Sequence, residues 1–218
     1  MTNDIITYSW SHIIDNLMID VSGTYMYDLS HTSRNLHIVI KNDSQVNLFF
    51  LVHDGENRVS IKLVDASAVL SCSAIVLSSN RIGSNLTISA SLEASDTKAD
   101  IYMLSLLGDN ARASVNGEVV INPSIQRAEG YLSEENLLLG KNIKIKTLPM
   151  LDVRSNDVKA SHGAKIDRLD PQKLFYLSAK WLPKSQAEDL MIHAYIQKAL
   201  DHTKISDDNI IKNIKSKM

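Results

Sequence analysis

The stretch Pro149-Met-Leu-Asp-Val-Arg-Ser-Asn-Asp-Val-Lys-Ala-Ser-His-Gly-Ala164, followed by Leu174-Phe-Tyr-Leu177, decides how the chain is read. Leu151-Asp-Val153 and Val158-Lys-Ala160 are short runs rich in strand formers, and a histidine, His162, continues the second. Beyond them Asp170-Pro171 opens a helical tail, since proline suits the first position of a helix. The block therefore joins the end of a strand-rich region to helices.

Upstream, the strand signal persists. Leu86, Ile88 and Ala90 alternate with Thr87, Ser89 and Ser91, and Ile143 and Ile145 alternate with Lys144 and Lys146. Strand side chains point to opposite faces in turn, so each set fits a half-buried strand. Further strands are expected at Leu36-His-Ile-Val-Ile40, Val46-Asn-Leu-Phe-Phe-Leu-Val52, Val59-Ser-Ile-Lys-Leu-Val64, Ala74-Ile-Val-Leu77, Ala99-Asp-Ile-Tyr-Met-Leu104 and Gly117-Glu-Val-Val-Ile121. Such a series fits either a sandwich or a coil of stacked strands, and no strict short repeat separates the two.

At the other end, Ile6, Trp10, Ile13, Ile14 and Leu17 recur at helical spacing and predict a short N-terminal amphipathic helix. In the tail, Ser185 and Glu188 form a capping-box pattern. Leu190, Met191, Ala194, Tyr195, Ile196 and Leu200 give an apolar face. A last helix begins at Ser206, with Ile205 and Ile210 placed as a staple and Asp207 and Asp208 in its first turn. The expected division is 1–34 helical or irregular, 35–169 β core and 170–218 helical.

Bulk composition bounds the function. With 218 residues, 44% hydrophobic, the chain can bury one substantial core. A net charge of −2 and only 6% aromatics argue against nucleic-acid binding. No apolar run approaches the roughly 18 residues of a membrane span, so no membrane insertion is expected. No signal or transit pattern opens the chain. Cys72 is the lone cysteine, so no internal disulfide can form, and a cytoplasmic location is expected.

The motif block resembles the SufB/SufD family, scaffold subunits of iron–sulfur cluster assembly. The resemblance is carried by Pro149-Met-Leu-Asp-Val153, by Asp157-Val-Lys-Ala-Ser-His-Gly-Ala164, by Leu174-Phe-Tyr-Leu177 and by the upstream Asn136-Leu-Leu-Leu139. It spans roughly residues 110–200 and is closest to the SufD type. It implies a mainly β fold, a right-handed parallel β-helix with C-terminal α-helices. It implies a non-enzymatic scaffold that pairs with a SufB-like chain, or with a second copy of itself, and binds a SufC-type ATPase whose closure moves the pair. Four positions depart from the family pattern: Ala160 replaces a cysteine, Lys165 a threonine, and Ala179-Lys180 an Arg-Gly pair.

By that resemblance His162 belongs to an inter-subunit site for iron or a nascent cluster, a role that a neutral imidazole suits. The plain alternative is a strand-edge histidine bonded to a neighbouring loop. One Cys and one His cannot hold a cluster, which needs about four mostly thiolate ligands, so a transient cluster or iron must be shared with a partner. Cys72 lies outside the motif and reads first as core filler. Phe175, Tyr176, Leu177, Trp181 and Leu182 either cap the β core or, as the resemblance implies, dock the ATPase. A second reading is a structural or ATPase-docking subunit without cluster chemistry, which Ala160 favours. His12, His31, His37, His53, His193 and His202 lack zinc spacing. Gly140-Lys141 lacks the first glycine of a phosphate loop, and no converging carboxylates suggest a sugar-cleaving β-helix.

Overall fold

The computed structural model describes residues 5–8, 15–81, 83–206 and 208–218; the side chains of 5–8 are left aside. Fourteen strands appear among these residues: β1 (Ile5–Tyr8), β2 (Asn16–Ile19), β3 (Gly23–Asp28), β4 (Arg34–Ile40), β5 (Gln45–His53), β6 (Gly55–Leu63), β7 (Val69–Ser78), β8 (Gly83–Leu92), β9 (Lys98–Leu107), β10 (Arg112–Ile121), β11 (Ala128–Leu138), β12 (Lys144–Thr147), β13 (Met150–Val153) and β14 (Val158–Asp167). Three helices follow: α1 (Pro171–Ala179), α2 (Lys184–His202) and α3 (Asp208–Ser216).

All pairings are parallel. One sheet runs β1-β3-β5-β7-β9-β11-β14 and the other β12-β10-β8-β6-β4-β2, with β13 also on β10. The chain thus steps from one sheet to the other and back, making a parallel β-helix-like core. β3 lies at Gly23–Asp28, in register with β5, so regular strand pairing starts ahead of residue 35.

Corners make this stacking possible. His31, Asp54, Asn80, Asn110 and Asn142 turn β3, β5, β7, β9 and β11 toward the other sheet, and Asn42, Ser67, Asp96 and Ser124 turn the chain back. All have positive φ, which Asn, Asp and His tolerate best. Gly55 at φ 84 is forced, because a Cβ there would lie 1.8 Å from the Thr32 carbonyl oxygen. Backbone bonds join corner to corner, as in His31 N–H to His53 O and Asn110 N–H to Lys141 O.

The coil interior is a set of columns. Leu48, Cys72, Ile101, Leu132 and His162 stand in one, and Phe50, Ala74, Met103, Glu134 and Ala164 in the next. The outer face of β5, β7, β9 and β11 is also apolar. Phe49, Leu51, Ile75, Leu77, Leu104, Leu106 and Leu137 are buried there beneath Ile196, Ala199 and Leu200 of α2 and Ile211 and Ile214 of α3. A sheet covered on both faces has continuous apolar runs, while β8, wet on one face, keeps its alternation.

Among the described residues the expected N-terminal helix is not shown: Ile6 lies in β1 and Leu17 in β2, while Trp10, Ile13 and Ile14 lie outside the described residues. In α2, Pro183 occupies the cap position with no side-chain hydrogen bond, so Ser185 and Glu188 form no capping box. Leu190 is exposed, and the buried face is Ala187, Met191, Ile196, Ala199 and Leu200. α1 is capped by Asp170, whose carboxylate accepts from Gln172 N–H at 2.9 Å. α3 starts at Asp208; Asp207 lies outside the described residues.

Candidate functional site

Among the described residues β14 is the last rung, and only β11 pairs with it. Apart from the half-buried Val158 and Ala160, its residues are exposed, and in β12 and β13 exposed and half-buried residues mix. One end of the coil is therefore open. His162 sits in this rung opposite Leu132, on the interior column, and is exposed because no further rung covers it. Ala160 stands two residues away, opposite Gly130.

Behind His162 the interior changes character. Deeper rungs carry apolar side chains, but β11 turns Glu134 and Asn136 inward, 1% and 2% exposed. The Glu134 carboxylate accepts from Gly117 N–H at 2.6 Å and from the Thr147 hydroxyl. It fits because position 117 has no side chain: a Cβ there would lie 2.4 Å from Leu132 and 3.0 Å from Glu134 Oε1. The strand above is broken at Leu148-Pro149, between β12 and β13, and the carboxylate meets an amide that this gap leaves without a strand carbonyl. Burial pushes the Glu134 carboxyl up, against the opposing pull of Thr147, Gly117 and the charge of His162. Asn136 donates to Lys165 O at 3.3 Å, but its Oδ1 has no partner, and neither has Ser105 Oγ, its register neighbour on β9. A buried polar atom left so costs about 1–3 kcal/mol.

Cys72 is excluded from chemistry at this end. It lies fully buried between Leu48 and Ile101, and burial pushes its thiol far above the ordinary range. A thiol held protonated is neither nucleophile nor metal ligand. Ile101 and Leu132 fill its column up to His162. Among the described residues no three His, Cys, Asp or Glu side chains converge as a metal site.

The tail residues separate. Leu177 and Leu182 are half-buried, whereas Phe175, Tyr176 and Trp181 are 76%, 62% and 95% exposed. They do not cap the β core, which α2 and α3 already cover. α1 ends with Leu182 N–H bonded to Leu177 O and Trp181 N–H to Ser178 O. That is the Schellman pattern, and its left-handed position, usually glycine, is Trp181 at φ 67. Outside the apolar cover, Glu135 accepts from Lys198 at 2.7 Å and Tyr102 at 2.6 Å. Burial would raise its carboxyl, but these bonds hold it below the usual range.

A parallel β coil with one uncovered end and a helical tail bearing unpacked aromatics is the class these features define. The family model described as SUF system FeS cluster assembly, SufBD core domain, matches residues 23–195, and the chain belongs to that family. It is 32% identical over 91 residues to the iron–sulfur cluster assembly protein SufD of Escherichia coli, covering 42% of this chain and 22% of that protein. It is 30% identical over 127 residues to a SufBD family protein of Synechocystis sp., covering 53% and 28%. With SufD of Bacillus subtilis the identity is 30% over 91 residues, covering 42% and 21%. The matches thus span under a third of each relative. No described helix is long and apolar enough to cross a membrane.

Sequence reasoning singled out His162 and the tail aromatics but not the burial of Glu134 and Asn136 in β11. Their signal is the polar run Ser133-Glu-Glu-Asn136, which disguises β11 as a loop.

Proposed function

We propose that the chain is a non-catalytic, cytoplasmic scaffold subunit of iron–sulfur cluster assembly, joined at its open rung to a SufB-like chain or to a second copy of itself. The supporting observation is the rung itself: a ten-residue parallel edge with an open side and His162 on its inner face. Unpaired edges of this length invite another chain and are normally protected. The cargo, iron or a nascent cluster, is held between subunits, because this chain offers one imidazole and no thiolate at that end. Thiolates come from the partner. A SufC-type ATPase docks on α1 through Phe175, Tyr176 and Trp181, with Leu177 and Leu182 beneath them, and its closure shifts β14, the rung that leads into the same helix.

His162→Ala in the reconstituted complex tests the cargo role. Cluster delivery to an apo acceptor falls at least tenfold if His162 is a ligand, and unchanged delivery removes it. The second reading, a docking subunit without cluster chemistry, is favoured by Ala160. It predicts no subunit-dependent iron in the purified complex.

A further inference from the structure

At one corner of the coil, two histidines from successive rungs lie side by side. We propose that His31 and His53 form a binding site for a divalent cation of the zinc class, held by the two imidazoles and completed by water. The site is separate from the proposed cargo end, because β7, β9 and β11 stand between β5 and the rung of His162.

The fold itself brings the pair together. His31 is the positive-φ corner after β3, His53 ends β5, and His31 N–H donates to His53 O at 2.8 Å. Their ring centres lie 5.2 Å apart, with the planes at 64°. A tetrahedral ion holds imidazole nitrogens at about 2.0–2.1 Å, which puts the centres of two rings on one ion roughly 5 Å apart. The observed spacing matches without movement of either backbone.

The ring nitrogens are also prepared. His31 Nδ1 lies 2.8 Å from Asp54 Oδ2. A neutral imidazole donates that N–H to the carboxylate and keeps its lone pair on Nε2, the way metal-bound histidines are commonly held. His53 Nδ1 is buried with no hydrogen-bond partner. Buried polar atoms are nearly always paired, so one that is not calls for a ligand. The cation at this corner, Lys217, is engaged by Asp28 at 2.8 Å and by Ser30 at 3.0 Å, which offsets its charge.

Two imidazoles, with no third donor converging among the described residues, make an exchangeable site weaker than a structural centre with four protein ligands. Imidazole selects zinc, copper or nickel over magnesium and calcium, which take oxygen. A bound ion bridges the corner after β3 to β5, beside the tie that holds the end of α3.

Zinc chloride titrated into the full chain, followed by calorimetry and by imidazole nitrogen shifts in NMR, tests the proposal. One ion is expected at this corner, moving the signals of His31 and His53, and excess magnesium does not compete. Asp54→Asn raises the dissociation constant about 10–100-fold, the cost of losing such an outer partner. His31→Asn and His53→Gln weaken binding at least as much. Asparagine tolerates the positive φ at 31 and 54, so both corners keep their shape. His162→Ala leaves affinity and shifts unchanged, which keeps failure of the cargo reading distinct from failure of this one. Zinc affinity unaltered in His31→Asn or in His53→Gln overturns the proposal. Binding that only His162→Ala abolishes overturns it too, as does absence of binding by the wild-type chain.

Discussion

Trp181 occupies a position where its backbone would prefer glycine. A non-glycine residue in the left-handed region costs about 1–2 kcal/mol, and Trp181 recovers none of that by packing, being 95% exposed. Trp181→Gly is therefore expected to raise stability by up to about 1 kcal/mol in urea denaturation. If the indole is an anchor for the ATPase, the same change costs at least about 2 kcal/mol of docking, measured by calorimetry. Stability and docking moving in opposite directions separate a partner contact from a structural one. Docking unaffected by the change removes Trp181 from the interface. His162 stands out in the sequence because it lies within the Ser161-His162-Gly163 motif, whereas Trp181 stands out only as an aromatic in the tail. Glu134 does not stand out, since a buried charge inside a strand is the residue that patterning excludes from a core.

At the scale of elements, α3 closes over the sheet and is tied at its end by Lys217, whose ammonium donates to Asp28 at 2.8 Å and to Ser30 at 3.0 Å. Burial acts to raise the Asp28 carboxyl, yet the bonds from Lys217 and Ser30 outweigh it and leave it below the ordinary value. A carboxyl lowered on folding contributes stability that is complete above its unfolded value, about pH 4, and is lost as pH falls through the lower folded value. Both side chains are under a third exposed, so the tie is worth on the order of 1–2 kcal/mol, above a fully exposed pair. Amide exchange in α3 is expected to quicken below pH 4 relative to α2. Asp28→Asn reproduces that loosening at pH 7. Equal α3 protection in wild type and Asp28→Asn would show that the helix is held without this tie, by Ile211, Ile214 and the Lys215–Asp189 ion pair at 2.7 Å.

Element by element, legibility followed the solvent. β8 is wet on one face, and its alternation gave it away. The runs around Phe49 and Ile75 read as strands, but nothing marked their second apolar face as the seat of α2 and α3. β11 was hidden by Glu134, Glu135 and Asn136. The predicted N-terminal helix rested on apolar spacing that β1 and β2 also generate.

For the molecule as a whole, the repeat escaped detection because it is neither constant in length nor in residue type. Side chains bonded between successive rungs are 23 residues apart early in the coil, as in Thr24 and Asn47, and 29 to 32 apart later. Strands of one sheet lengthen from 6 residues in β3 to 11 in β11. A column such as Val46, Leu70, Ala99, Gly130 and Ala160 conserves its inward direction but not its size. Most corners keep a type, Asn, Asp, Ser or His at positive φ, with Arg81 and Arg127 the exceptions, and they are the part of the repeat that survives in sequence.

Among the described residues one end of the coil is left uncovered, and the proposed function has a partner cover it. Hydrogen–deuterium exchange of the isolated chain and of the complex recovered from its host measures that directly. The account predicts new amide protection in β12, β13 and β14, greatest between Val158 and Asp167, with the buried strands β5 to β9 unchanged. Unaltered exchange in β14 within a complex that still contains the partner would contradict it.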